Sequence, residues 1–245
     1  MKTLVIIPSR LSATRLPGKP LLKISGLSII SHVVKKAKDA NIGDVFVATE
    51  DKEIVDDVRQ NGGQAIMTSK DHKTGTDRIY EALNRIGGTD SELIMNLQGD
   101  EPLINIDDIR KLHKQMIKNK FELGTLASKI SDNDLYTDKN AVKVITKEEL
   151  NVSKFSEALN FMRNLENITD NTYHHLGVYC YQLETLKKFI SLKQSQNEIK
   201  NKLEQLRALD NNIKINVSLA KESPIGVDTE KDFVAIKKIM EYKSK

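Results

Sequence analysis

Short apolar runs and helically spaced apolar stripes alternate along the first half of the chain. Leu4-Val5-Ile6-Ile7 is a continuous apolar run closed by Pro8, the pattern of a strand buried on both faces. Ile30, Val33, Val34 and Ala37 then recur at helical spacing behind Ser28, whose hydroxyl suits an N-cap. Val45-Phe46-Val47-Ala48 predicts a second strand, and Glu53 to Gln60 a helix stopped by Gly62-Gly63. Ile79, Ala82, Leu83 and Ile86 make another stripe, closed by Gly87-Gly88. Leu93-Ile94-Met95-Asn96-Leu97 predicts a strand, and Ile106 to Ile117 a helix. Strands alternating with helices predict an α/β fold with a mostly parallel sheet and right-handed crossovers.

The alternation weakens beyond Ser131. Asn140 to Ile145 and Leu176 to Tyr181 keep the apolar content of strands, but the Asn- and Glu-rich stretch between them is too polar for a core. It predicts an excursion over 131–185 from a single domain spanning 1–245, placed to cover a partner subunit. Regularity returns with a helix over Glu198 to Leu209, a strand over Ile213 to Leu219 and a last helix from Asp232. Thr229 and Asp232 give that helix a capping box.

Composition narrows the function classes. Lys plus Arg number 38 against 34 Asp plus Glu, and a formal charge of +4 makes no case for nucleic acid. Six Tyr, six Phe and no Trp, without a basic tract, give no platform for stacking bases. The single Cys180 has no internal disulfide partner and reads as a small buried hydrophobe in a reducing compartment. No long apolar run marks a signal peptide or a membrane span, so the expectation is a cytoplasmic protein.

Candidate chemistry starts in the loop after the first strand, where Arg10, Arg15 and Lys19 occur together and Gly18 allows close backbone approach. Such a loop suits a triphosphate through charge-assisted hydrogen bonds, without the spacing of a P-loop; it equally suits a solvated cationic face. Ligands of open α/β sheets gather beyond the carboxyl ends of strands, and two acidic segments fall there: Asn96 to Pro102 and Gly226 to Thr229. Asp100 and Asp228 suit a divalent cation shared with phosphate oxygens, as they also suit a turn and a helix cap. His72 to Arg78, at a helix start, offers backbone amides and the Arg78 fork. Alone, His175 reads as structural, and Glu204 and Gln205 as a solvated helix face.

Six segments in order carry a resemblance: Ile7-Pro8-Ser9-Arg10 with Thr14-Arg15-Leu16-Pro17-Gly18-Lys19-Pro20; Thr74-Gly75-Thr76-Asp77-Arg78; Asn96-Leu97-Gln98-Gly99-Asp100-Glu101-Pro102; His175-Leu176-Gly177-Val178-Tyr179; Leu203-Glu204-Gln205-Leu206-Arg207; and Gly226-Val227-Asp228-Thr229. Together they resemble the 3-deoxy-manno-octulosonate (Kdo) cytidylyltransferases, from near Leu4 to the final helix. The first segment alone also suits CMP-sialic acid synthetases. The resemblance implies a Rossmann-like nucleotidyltransferase fold with a dimerisation excursion, CTP and an acidic sugar as substrates, Mg²⁺ as cofactor and a homodimer. It assigns Arg10, Arg15 and Lys19 to the CTP phosphates, Thr76 and Arg78 to the border of the nucleotide, and Asp100 and Asp228 to the metal. Gln98, His175, Tyr179, Glu204 and Gln205 match positions of the sugar-acid pocket.

One region departs from the family pattern. Where relatives carry Tyr-Phe-Ser-Arg and then Ile-Pro, this chain has Lys154-Phe155-Ser156-Glu157 and Asn160-Phe161. Asn197 and Asn201 stand where leucine and glutamate are usual. A charge reversal at Glu157, near the expected approach of an acidic sugar, raises two alternatives. One is cytidylyl transfer to an amino-substituted Kdo or a sialic-acid-like nonulosonate; the other is a regulator that binds nucleotide without catalysis.

Overall fold

A computed structural model describes residues 2–12, 15–130, 133–165 and 169–243. Ala13 and Thr14 of the cationic loop and Ser131 of the expected excursion lie outside them. The chain divides into two compact units, 1–107 with 224–245, and 108–223.

In the first unit β1 (Thr3–Pro8) is followed by a short hairpin, β2 (Lys23–Ile24) and β3 (Leu27–Ser28), and by α1 (Ile29–Ala40). Then come β4 (Asp44–Thr49), α2 (Lys52–Gln60), β5 (Ala65–Met67), α3 (Gly75–Arg85) and β6 (Leu93–Asn96). The strand order β5-β4-β1-β6 is parallel throughout, as the alternation predicts. Val5, Ile6 and Ile7 are fully shielded; burying such a side chain contributes about 1.5–3 kcal/mol. Ser28 caps α1, its Oγ accepting from the Ser31 amide at 3.2 Å and donating to Asp57 at 2.5 Å. From β1 the chain moves outward through β4 to β5, then returns to the other side of β1 with β6. That reversal opens a crevice beyond the carboxyl ends of β1 and β6.

The last helix, Glu230–Lys243, also belongs to this unit. The expected capping box is present: Asp232 Oδ2 accepts from the Thr229 amide at 2.8 Å, and the Asp232 amide donates to Thr229 Oγ1 at 3.3 Å. Val227 is fully buried with Ile24, Ile29 and Ile236. This small core fixes Asp228, next in sequence, beside the loop after β1.

The second unit contains α4 (Ile106–Asn119, from Asp108 on), β7 (Leu123–Ser128), α5 (Asn133–Thr137), β8 (Lys143–Thr146), β9 (Ser156–Met162) and β10 (Thr172–Gln182). It continues with α6 (Leu183–Ser191), α7 (Gln196–Asn201), α8 (Leu206–Asp210) and β11 (Ile215–Leu219). Its pairing is mixed, where that of the first unit is parallel. β7 and β11 are parallel, but β10 runs antiparallel to β7 and β8, and β9 antiparallel to β11 and β8. The polar stretch is also not outside the core: β9 buries Ser156, Ala158 and Phe161 while its other positions stay wetter. A strand with one buried face needs few apolar residues, so its polarity concealed it. The helix expected over Glu198 to Leu209 is two short helices, because Lys202 takes a left-handed conformation (φ 54°) and ends α7.

Candidate active site

Two backbone features bring the strand-end loops of the first unit together. Gly18 has φ +69°, and its amide donates to Leu11 O at 3.1 Å, which folds the cationic loop back on itself. Gly99, after β6, packs so tightly that a Cβ there would lie 3.0 Å from Pro8 O and 3.1 Å from Ile30 Cδ1. Between these loops lies a cleft of about 390 Å³, within the range of small-molecule sites. Its wall carries Arg10, Arg15, Lys19, Lys73 and Arg78, with Asp100 and Asp228 among them and Gln98 on the β6 side.

The acidic pair converges on one point. Lys19 Nζ donates to Asp100 Oδ2 at 2.5 Å, to Val227 O at 2.9 Å and to Asp228 Oδ1 at 3.3 Å. Arg15 Nη2 lies 3.0 Å from the same Asp228 oxygen. The two carboxylates, 128 positions apart in sequence, thus share a single cation, here an ammonium. Lys19 is thus engaged by carboxylates, whereas the resemblance assigns it to phosphates.

Helix α3 forms the next wall. Thr74 Oγ1 accepts from the Asp77 amide, and Asp77 Oδ2 from the Thr74 amide, an N-cap that aims the preceding loop into the cleft. Arg78 is buried: it pairs with Glu50 and donates to Thr68 Oγ1 at 2.6 Å and Ser69 O at 3.2 Å. It borders the cleft, but its fork is already engaged. Thr76 is buried and is not part of the cleft wall; Thr74 and Gly75 are. Its position in the first turn of α3, behind the capped N-terminus, turns it toward the core.

The second unit gathers the other assigned residues. On β10, the His175 and Tyr179 rings pack at a tilt with centroids 5.4 Å apart, and Phe161 meets His175 edge-on at 5.0 Å. Thr125 on β7 donates its hydroxyl hydrogen to Val178 O at 2.7 Å and lies 3.0 Å from His175 Nε2. Having spent its hydrogen, Thr125 accepts from Nε2–H, which leaves Nδ1 as the acceptor nitrogen. Burial, then the Tyr181 hydroxyl and the Glu204 carboxylate, push the Tyr179 hydroxyl well above its ordinary range, so it stays a protonated donor. Glu204 is half-buried, and Gln205, almost fully buried, is the residue that precedes α8.

Burial, with a smaller push from neighbouring His174, lowers the His175 ring to about 3, so His175 is neutral near pH 7. The unfolded chain binds this proton below its ordinary value of 6.5. This contribution to stability is therefore complete above pH 6.5 and declines toward pH 3, by roughly 1.4 kcal/mol per unit at most. His175→Gln is expected to flatten the loss of stability between pH 7 and pH 4.5 in urea unfolding. An unchanged pH slope would contradict the neutral assignment.

Register settles the place of Glu157. Ser156, Val217, Thr125 and Tyr179 form one cross-strand row, and Glu157, Asn216, Gly124 and Cys180 the next. Adjacent rows face opposite sides of a sheet, so Glu157 lies on the face away from Tyr179. There Glu157 is within 3.7 Å of Lys214. The charge reversal at Glu157 therefore lies on the sheet face opposite the one that carries Tyr179.

Sequence reading passed over Glu50 and Thr125. Glu50 directly follows the apolar strand β4, a placement like those that mark Arg10 and Asp100. Thr125 carried no signal, because its role depends on its register with β10.

Among the described residues no helix is long and apolar enough to cross a membrane. The family described as Cytidylyltransferase matches residues 4–215. A 3-deoxy-manno-octulosonate cytidylyltransferase of Nitrobacter hamburgensis is 41% identical over 98% of this chain and 93% of its own length. One of the same name from Rhodopseudomonas palustris is 42% identical over 98% of each. Among solved structures, CMP:2-keto-3-deoxy-manno-octonic acid synthetase complexed with CTP is 33% identical, with a TM-score of 0.89, covering 99% of this chain and 100% of that one. UDP-glucose pyrophosphorylase complexed with UDP-glucose shares the fold at a TM-score of 0.75 and 15% identity, with full coverage of both. Near-complete matches at this identity, over a nucleotidyltransferase fold, show that this chain belongs to the 3-deoxy-manno-octulosonate cytidylyltransferase family.

Proposed function

We propose that this chain transfers a cytidylyl group from CTP to the anomeric hydroxyl of Kdo, giving CMP-Kdo and pyrophosphate for lipopolysaccharide synthesis. Within the structure, the observation that carries this reading is the convergence of Asp100, Asp228 and the cationic loop on one cleft. The anomeric oxygen attacks the α-phosphorus as the bond to the bridging oxygen of pyrophosphate breaks in line. Bringing an anionic sugar to a triphosphate is the chief electrostatic obstacle. Arg10 and Arg15 hold the β- and γ-phosphates, so that charge developing on the leaving group meets fixed cations. No covalent enzyme intermediate is needed, since orientation and electrostatics supply this class of catalysis.

The donor set fits a divalent metal: two carboxylate oxygens and a backbone carbonyl already surround one cation, the Lys19 ammonium. Asp100 and Asp228 would hold Mg²⁺, which when bound neutralises phosphate charge and makes the sugar hydroxyl more acidic. Phosphates arriving at the cleft offer Lys19 new partners and release both carboxylates. Neutral His175, the Tyr179 hydroxyl, Glu204, Gln205 and Gln98 bind the sugar acid. The polar 131–185 stretch supplies the contact of a homodimer, in the cytoplasm. The position of Glu157, on the sheet face opposite Tyr179 and beside Lys214, supports Kdo over another acidic sugar.

Product identification by mass spectrometry tests the reading. The protein, CTP, Mg²⁺ and a mixture of Kdo, amino-substituted Kdo and a sialic acid are expected to yield chiefly CMP-Kdo. Preference for another sugar overturns the substrate, and CTP binding without any product overturns catalysis.

A further inference from the structure

We infer that the buried Glu198–Arg207 pair positions Glu204 and Gln205, and so sets affinity for the sugar substrate; this rests on the reading of those two residues as sugar contacts. Helices α7 and α8 are too short to hold a fixed relation by themselves, and the left-handed Lys202 between them is a natural hinge. Arg207 closes that hinge from within: its Nε and Nη2 reach Glu198 Oε2 and Oε1 at 2.8 and 2.6 Å. Both side chains are under 5% exposed.

The pair is itself locked on three sides. The Ser195 amide and Gln194 Nε2 donate to the Glu198 carboxylate at 3.2 and 3.0 Å. On the other side the Arg207 guanidinium lies 4.5 Å above the Phe189 ring. Phe189 leads to Tyr181 at 6.2 Å and Tyr181 to Tyr179 at 6.0 Å, so the pair ends a row of tilted ring contacts that begins at the proposed sugar residues. Glu204 and Gln205 lie inside the segment that Glu198 and Arg207 bracket, and the Arg207 amide donates to Glu204 O at 3.0 Å. Neither Glu198 nor Arg207 carries an exposed polar edge for substrate, so they act as positioning residues. An exposed bond, Asn197 Nδ2 to Asp210 Oδ1 at 2.9 Å, joins the same helices from outside.

Steady-state kinetics with each substrate varied separately tests this. Arg207→Met is expected to raise KM for Kdo roughly ten- to hundredfold, as misplaced binding groups do. KM for CTP should stay within about twofold, because the cleft of the first unit is untouched. Arg207→Lys, which keeps the charge without the fork, should recover part of the loss. If Arg207→Met does not fold, Arg207→Lys and Glu198→Gln carry the test through the same split. Unchanged KM for Kdo in folded variants, or equal changes for both substrates, overturns the inference. Failure of the wild-type protein to use any sugar acid would instead refute the underlying reading.

Discussion

Asp100→Ala is expected to lower kcat by about 10³ or more, the largest effect of any single substitution in this chain. Asp100 makes the shorter of the two carboxylate contacts to the shared cation, 2.5 Å against 3.3 Å for Asp228. It is also the less exposed, at 29% against 41% of the side chain, so its charge is less screened by water. Losing several kcal/mol of transition-state charge stabilisation corresponds to about three decades in rate. Folding should persist, since the Asp100 side chain is partly exposed and Gly99 fixes the loop through backbone contacts. Initial rates over a Mg²⁺ titration check this: kcat should fall at every metal concentration. Turnover near that of the wild type would remove Asp100 from the catalytic machinery.

Lys19→Met should also cost kcat roughly 10²–10³, with an opposite signature toward metal. Lys19 is the most buried member of the cluster, 14% exposed, and neutralises two carboxylates that otherwise repel each other. Without its ammonium the carboxylates gain affinity for any cation, so free Mn²⁺ should bind the variant more tightly in the absence of nucleotide. In the presence of CTP the same variant lacks a phosphate donor and turns over slowly. Electron paramagnetic resonance of unbound Mn²⁺ reads the first effect, and initial rates the second. Asp100→Ala lowers both quantities, so the two variants separate a ligand from its competitor. Equal Mn²⁺ affinity in wild type and Lys19→Met would mean that the ammonium does not guard the carboxylates.

The first unit was largely legible because its strands are buried on both faces and its helices carry regular stripes. Val5, Ile6 and Ile7 announce β1 without any tertiary information, and the cationic loop follows from its place after that strand. The second unit was less legible. There β9 buries one face only, so it hides behind Glu157 and Asn160, and a left-handed Lys202 splits what helical spacing suggests is one helix. The acidic pair was visible as two residues at strand and helix ends, but their meeting on Lys19 required the fold. Thr76 and Arg78 show the reverse limit: their motif marks the cleft, yet burial turns one inward and an ion pair with Glu50 occupies the other.

The most direct test of the account is a crystal structure with CTP and Mn²⁺, read through the anomalous signal of the metal. The account predicts a peak bonded to carboxylate oxygens of both Asp100 and Asp228, with Lys19 Nζ moved from those oxygens to the phosphates. A structure in which CTP fills the cleft while Lys19 still bridges the two aspartates, and manganese sits elsewhere, would contradict it.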